Sequence, residues 1–150
     1  MKLTEFIIPT AMAKPGMLVG ELFRECIARQ VPGIPFQNAT GSIIGKASMR
    51  NVLKLTCIPE YMIKHAALLG DRIEGLAIPR EKALEVFSLE VDPFVLSDMA
   101  VISRGTSMTK ALAVMEQHDT TYLFVIDDEG YHGCLSIMGI GDAILRAVAG

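Results

Sequence analysis

The chain states one pattern twice. Residues 34–48 run as an apolar stretch from Ile34, a polar turn closed by Gly41, a second apolar stretch, then Gly45-x-x-Ser48. Residues 123–136 run the same way, from Leu123 to Ile126, through a turn closed by Gly130, to Gly133-x-x-Ser136. The match extends backwards. Val19, Leu22, Phe23 and Cys26 have the i, i+3, i+4, i+7 spacing of an amphipathic helix, and Met108, Ala111, Leu112 and Met115 repeat it 89 residues later. An internal repeat constrains the fold more than any composition does, because two related units that are each too small for a stable core must bury their surfaces together.

Each copy predicts the same elements. A helix is followed by a strand, Ile34 to Gln37 or Tyr122 to Ile126. Asn38 to Gly41 and Asp127 to Gly130 are tight turns into partner strands, Ser42 to Ala47 and Tyr131 to Leu135. A last helix starts after each Ser, over Ser48 to Leu55 and Met138 to Val148. Thr106 and Ser107 supply an N-cap for the helix before the second pair of strands. Short extended segments, Phe6 to Ile8 and Val101 to Ile102, lead the copies. Between them, Pro59 opens a helix that Gly70 closes, and Pro79 opens another that runs through Leu89 before Asp92-Pro93. The predicted fold class is α/β in the broad sense (α+β): two βαββα units about a pseudo-twofold axis with extra connector helices. The divisions expected are 1–58 for the first unit, 59–92 for the connector and 93–150 for the second.

Composition narrows the function. Hydrophobic residues make up 51% of the 150, enough for a sizeable core, and a net charge of −3 without a Lys/Arg cluster argues against nucleic acid as a partner. No apolar run reaches the ~20 residues of a membrane span, and the first residues lack a signal-peptide pattern, so a cytoplasmic location is expected. Cys26, Cys57 and Cys134 are odd in number and far apart, with neither disulfide nor zinc spacing. They read as small core residues.

Sharper motifs fail on their spacing. Gly41 to Lys46 is one residue short of a phosphate-binding loop, and Ala47 stands where a magnesium-binding hydroxyl belongs. Asp127-Asp128-Glu129 would need a Glu at Met138 to complete a calcium loop, so it reads as a solvated turn and no metal site is expected. His65, His118 and His132 lack ligand partners at metal spacing. No Ser, Cys or His has a nucleophile's setting, so the chain is not expected to be an enzyme.

The unit resembles the cystathionine-β-synthase (CBS) domain, and its duplication resembles a tandem CBS pair, or Bateman module. In the first copy the resemblance rests on Val31-Pro32-Gly33-Ile34-Pro35-Phe36 and Gly45-Lys46-Ala47-Ser48-Met49-Arg50-Asn51. In the second it rests on Asp119 through Ile126, the turn to Gly130, and Gly133 through Ser136. It covers nearly all of the chain except the connector. It implies a stand-alone regulatory module that binds an adenosine-containing ligand (AMP, ADP, ATP or S-adenosylmethionine) in the cleft between copies. No cofactor is required; an adenine nucleotide is the implied regulatory ligand. The alternative is a ligand-free structural or dimerisation module.

The implied ligand residues are Val31, Pro32, Gly33, Ile34, Ser48 and Asn51 in copy one, and Thr120, Thr121, Tyr122, Leu123 and Ser136 in copy two. A hydroxyl at a helix N-terminus suits a phosphate, since unpaired N–H groups and the positive end of the dipole meet there. Asn51 replaces the family's ribose-binding Asp. In copy two that place is Gly139, and Asp142 reaches the site only if its helix starts late. Phe124 stands where the family has Pro. A single site using Ser48 and Asn51 is therefore favoured. A homodimer and a target protein of unknown identity are the implied partners, with Leu68 and Leu69 among the apolar residues expected to be exposed.

Overall fold

The computed structural model describes residues 2–71 and 78–149. Its regular elements are α1 (Val19–Arg29), β1 (Gly33–Gln37), β2 (Ile43–Ser48), α2 (Met49–Cys57), α3 (Glu60–Lys64), α4 (Arg80–Phe87), β3 (Val101–Ile102), α5 (Met108–Gln117), β4 (Tyr122–Asp127), β5 (Gly130–Ser136) and α6 (Ile137–Ala149). The second copy is thus βαββα. In the first, the leading strand shrinks to one parallel bridge between Ala13 and Phe36. The connector helix predicted from Pro59 ends early, at Lys64, and a 3₁₀ turn over Ala66–Leu68 follows.

The apolar stripe of α1 buries Val19, Leu22 and Cys26, and Gln30 ends the helix in the left-handed conformation, at φ 57°. Asn38 closes the first hairpin by accepting the amides of Thr40 and Ser42 on its side-chain oxygen. In the second hairpin Asp127 accepts the Glu129 amide. Ser107 caps α5 by accepting from Lys110. Each hairpin is antiparallel, with a register shift near its end, and β3 adds to β4 in parallel.

The strands alternate as their pleat demands. Leu123 and Val125 face a core with Ala111, Met115, Leu135 and Ile140, while Tyr122 and Phe124 face a second core shared with Ile34, Phe36 and Ala47 of copy one. The packing between copies is complementary in size. Gly33 lies against the Tyr122 hydroxyl: a Cβ there would come within 2.8 Å of it. Large aromatic residues of copy two therefore enter where copy one is small. Phe124, which takes the place of a Pro, stacks edge-on with Tyr122 at 5.6 Å and with Tyr131 at 6.3 Å.

The copies also exchange their leading segments. Ile8 bridges Cys134 in β5, and Leu96 bridges Lys46 in β2, so each segment pairs with the other copy's last strand. Phe6–Ile8 and Val101–Ile102, read together as the leading segments, are not equivalent. Ile8 corresponds to Leu96, and Ala13, which bridges β1, corresponds to Ile102, which pairs with β4.

Candidate functional site

A cavity of about 600 Å³ opens between the copies. Copy one contributes Pro32, Lys46, Ser48, Arg50, Asn51 and Lys54, and copy two contributes Leu96 from its leading segment together with Met115, Glu116, His118, Asp119, Thr120, Thr121 and Tyr122. Pro32, Ser48, Asn51, Thr120, Thr121 and Tyr122 were expected from the sequence, and the fold brings these six to one wall-to-wall space.

β2 delivers Ser48 to the head of α2, where its hydroxyl accepts the Asn51 amide at 3.1 Å. Helix residues Arg50 and Lys54 are one turn apart and share this wall with Lys46. Arg50 in the first turn of α2 and Lys46 on β2 thus line the cavity beside a helix N-terminus that already favours an anion, while Lys54 lies further along, in the last turn. Lys46 Nζ lies 5.4 Å from the centre of the Tyr122 ring, a cation–π contact across the copies. Burial pushes the Tyr122 phenol above its ordinary range, so it stays a neutral donor at any physiological pH.

The opposite wall has the other sign. Glu116 and Asp119 line it, and His118 bonds Asp98 at 3.0 Å. Asp119 takes a positive φ of 49° in the turn that ends α5. The cavity is therefore lopsided, cationic where α2 begins and acidic where α5 ends.

Asn51 makes a second contact. Its Nδ2 donates to the Phe94 carbonyl at 2.9 Å. The carbonyl can only accept, which fixes the amide's orientation and leaves Oδ1 as the free acceptor end.

The other expected residues stand apart from this space. Val31, Gly33, Ile34 and Leu123 are buried and do not line it. Ser136 heads α6, accepting from Gly139 at 3.2 Å. That helix starts at Ile137, directly after Ser136, so it does not start late. Asp142 stands more than a turn along it and pairs with Arg146 at 3.0 Å. Gly139, the counterpart of Asn51, packs beside Phe6, the counterpart of Phe94.

Lys46, Arg50, Lys54, Leu96, Glu116 and His118 also line the cavity and are not among the ligand residues expected from the sequence. Lys54 had a signal, its i+4 spacing from Arg50 on α2. Leu96 had none, since its place depends on the exchanged pairing. Among the described residues no group of three or more His, Cys, Asp or Glu side chains is arranged to hold a metal ion. The acidic turn instead engages Arg104 and His132, through Asp127 at 2.7 Å to each. No helix among the described residues is long and apolar enough to cross a membrane.

No protein-family model matches the sequence, and no curated protein matches it. Solved structures do match. The CBS-pair protein CBSX2 of Arabidopsis thaliana is similar at 16% identity and a TM-score of 0.68, over 99% of this chain and 97% of that one. CBSX2 in complex with AMP is similar at 16% identity and 0.64, over 97% of each chain. A CBS domain-containing protein of Bacillus anthracis is similar at 16% identity and 0.62, over 97% of this chain and 94% of that one. The likeness is one of architecture, carried end to end, and this chain has the fold of a tandem CBS pair.

Proposed function

We propose that the chain is a regulatory, non-enzymatic module that binds an adenosine-containing nucleotide in the cavity between its copies and signals through a change in shape or partner. One observation carries the reading: Ser48 at the head of α2 shares a cavity of nucleotide size with the cations Lys46, Arg50 and Lys54 and with Thr120, Thr121 and Tyr122 of the other copy. The phosphate lies over α2, where helix N–H groups and cations converge. The ribose lies at Asn51, and the base lies toward Tyr122 and the acidic wall. The complex of CBSX2 with AMP, a chain of the same fold, supports this choice of ligand.

The module acts as a homodimer. Exposed apolar residues along α6, among them Ile137, Met138, Leu145 and Val148, support this, since such a row is a large surface to leave in water. The three cysteines are free thiols, which suits the reducing cytoplasm.

Thermal shift against AMP, ADP, ATP and S-adenosylmethionine tests the ligand. A nucleotide that binds the native state at a hundredfold excess over Kd raises the melting temperature by roughly 5 °C or more. Arg50→Ala reduces that shift. A flat response to all four at millimolar concentration sinks the nucleotide reading and leaves the dimerisation module.

A further inference from the structure

The stretch that joins the connector to copy two does not simply pass the cavity by. Residues 88–96 form a strap bonded on both sides. Toward α1, Val19 donates to Leu89 at 2.8 Å, Val91 donates to Met17 at 2.8 Å, and the Gly16 amide donates to the Asp92 carboxylate at 2.9 Å. Toward the cavity, Lys46 and Leu96 exchange backbone bonds at 2.8 and 2.9 Å, and Asn51 holds the Phe94 carbonyl. The strap continues from α4, whose Phe87 ring sits 5.1 Å from Phe23 on α1. Three cavity-lining residues, Lys46, Asn51 and Leu96, are thus also the strap's anchors on one side.

We propose that Asn51 is a positioning residue whose amide, held by the Phe94 carbonyl, offers Oδ1 to the bound nucleotide and transmits occupancy to the 88–96 strap and helix α4. This rests on the nucleotide reading of the same cavity. An amide serves both partners because its two ends differ: Nδ2 donates to the carbonyl while Oδ1 accepts from a ligand hydroxyl. A carboxylate at 51 would set two acceptors against each other. A hydroxyl on Oδ1 polarises the amide and strengthens the bond to Phe94. The opposite copy shows what lacks the device. Gly139 lies beside Phe6 with no side chain to reach its carbonyl, so the coupling runs on one side only.

Hydrogen exchange of the whole chain, read over peptides spanning 88–97, tests this in wild type, Asn51→Asp and Asn51→Ala, with and without AMP at occupancy matched by calorimetry. Without AMP, the strap in Asn51→Asp exchanges about fivefold faster than in wild type, the factor expected for one lost hydrogen bond. With AMP, the wild-type strap slows while that of Asn51→Ala does not. A melting curve for each variant confirms that it is folded. Wild-type exchange rates in Asn51→Asp, or equal protection by AMP in Asn51→Ala, overturn the proposal. If AMP fails to bind wild type, the comparison is made with whichever of ADP, ATP or S-adenosylmethionine binds, and if none of the four binds, the nucleotide reading and this coupling fail together. AMP binding with an unaffected strap fails the coupling alone.

Discussion

Ile8 and Cys134 exchange both of their backbone hydrogen bonds, each at 2.8 Å, and thereby tie the start of the chain to the last strand of copy two. The approach is close enough to dictate the neighbouring residue. A Cβ on Gly133 would come within 2.5 Å of the Ile8 carbonyl oxygen, and Gly133 also has a φ of 145°. Gly45 repeats the arrangement against the Leu96 carbonyl, which a Cβ there would overlap. Gly133→Ala is therefore expected to cost about 3 kcal/mol, from strain at the positive φ added to overpacking. Gly45→Ala is expected to cost less, about 1–3 kcal/mol, because it meets the packing penalty alone. Urea unfolding of the two variants measures this, and a Gly133→Ala protein as stable as wild type would refute the close pairing.

The two serines that end the repeats separate stability from binding. Both cap a helix, Ser48 onto Asn51 and Ser136 onto Gly139. Either Ser→Ala change is expected to lose about 1 kcal/mol of stability. Only Ser48 lines the cavity. Ser48→Ala should therefore also weaken AMP binding, by roughly tenfold if one charge-assisted hydrogen bond is lost, while Ser136→Ala leaves the affinity as it was. Calorimetric titration distinguishes them, and equal losses of affinity would move the site or add a second.

Much of this fold was legible because it rests on periodicity. The stripe through Val19, Leu22 and Cys26, its counterpart through Met108, Ala111 and Met115, and the two hairpin turns each carry a local signal that tertiary context did not override. The exchanged segments were not legible. Ile8 and Leu96 make single bridges, and a single bridge has no pattern in sequence; only the glycines opposite, Gly133 and Gly45, hint that a backbone passes close by. The cavity divides in the same way. Ser48 and Asn51 were legible at a helix head, but their meeting with Thr120 to Tyr122 depends on how the copies pack. That packing turns on Gly33 admitting the Tyr122 hydroxyl, a relation between residues 89 apart in sequence.

The thiols give a check on that packing. Burial pushes both Cys26 and Cys134 up to about 12, so neither is an appreciable thiolate at neutral pH. Cys57, in the last turn of α2, is only half-buried. A thiol reagent at pH 8 should modify Cys57 alone in the native protein and all three cysteines in guanidinium. Mass spectrometry of the labelled peptides reads this directly. Fast native labelling of Cys26 or Cys134 would mean that the core shared by the copies opens readily.

The second hairpin predicts a pH dependence. Asp127 accepts from His132, from Arg104 and from the Glu129 amide, and these bonds, that from His132 foremost, hold its carboxyl well below its ordinary value of 3.8. The native state therefore binds the Asp127 proton less readily than the unfolded chain does. The resulting stability is fully present above pH 3.8 and is lost as the pH falls through the lowered native value. Asp127→Asn removes the group that titrates. Its melting temperature should lie below that of wild type at pH 7, and the gap should narrow as the pH falls below 4, because the wild type loses what the variant lacks. Melting curves at pH 7, 5, 4 and 3 measure the gap. A gap that stays constant over that range would show that the Asp127 side chain contributes packing rather than charge.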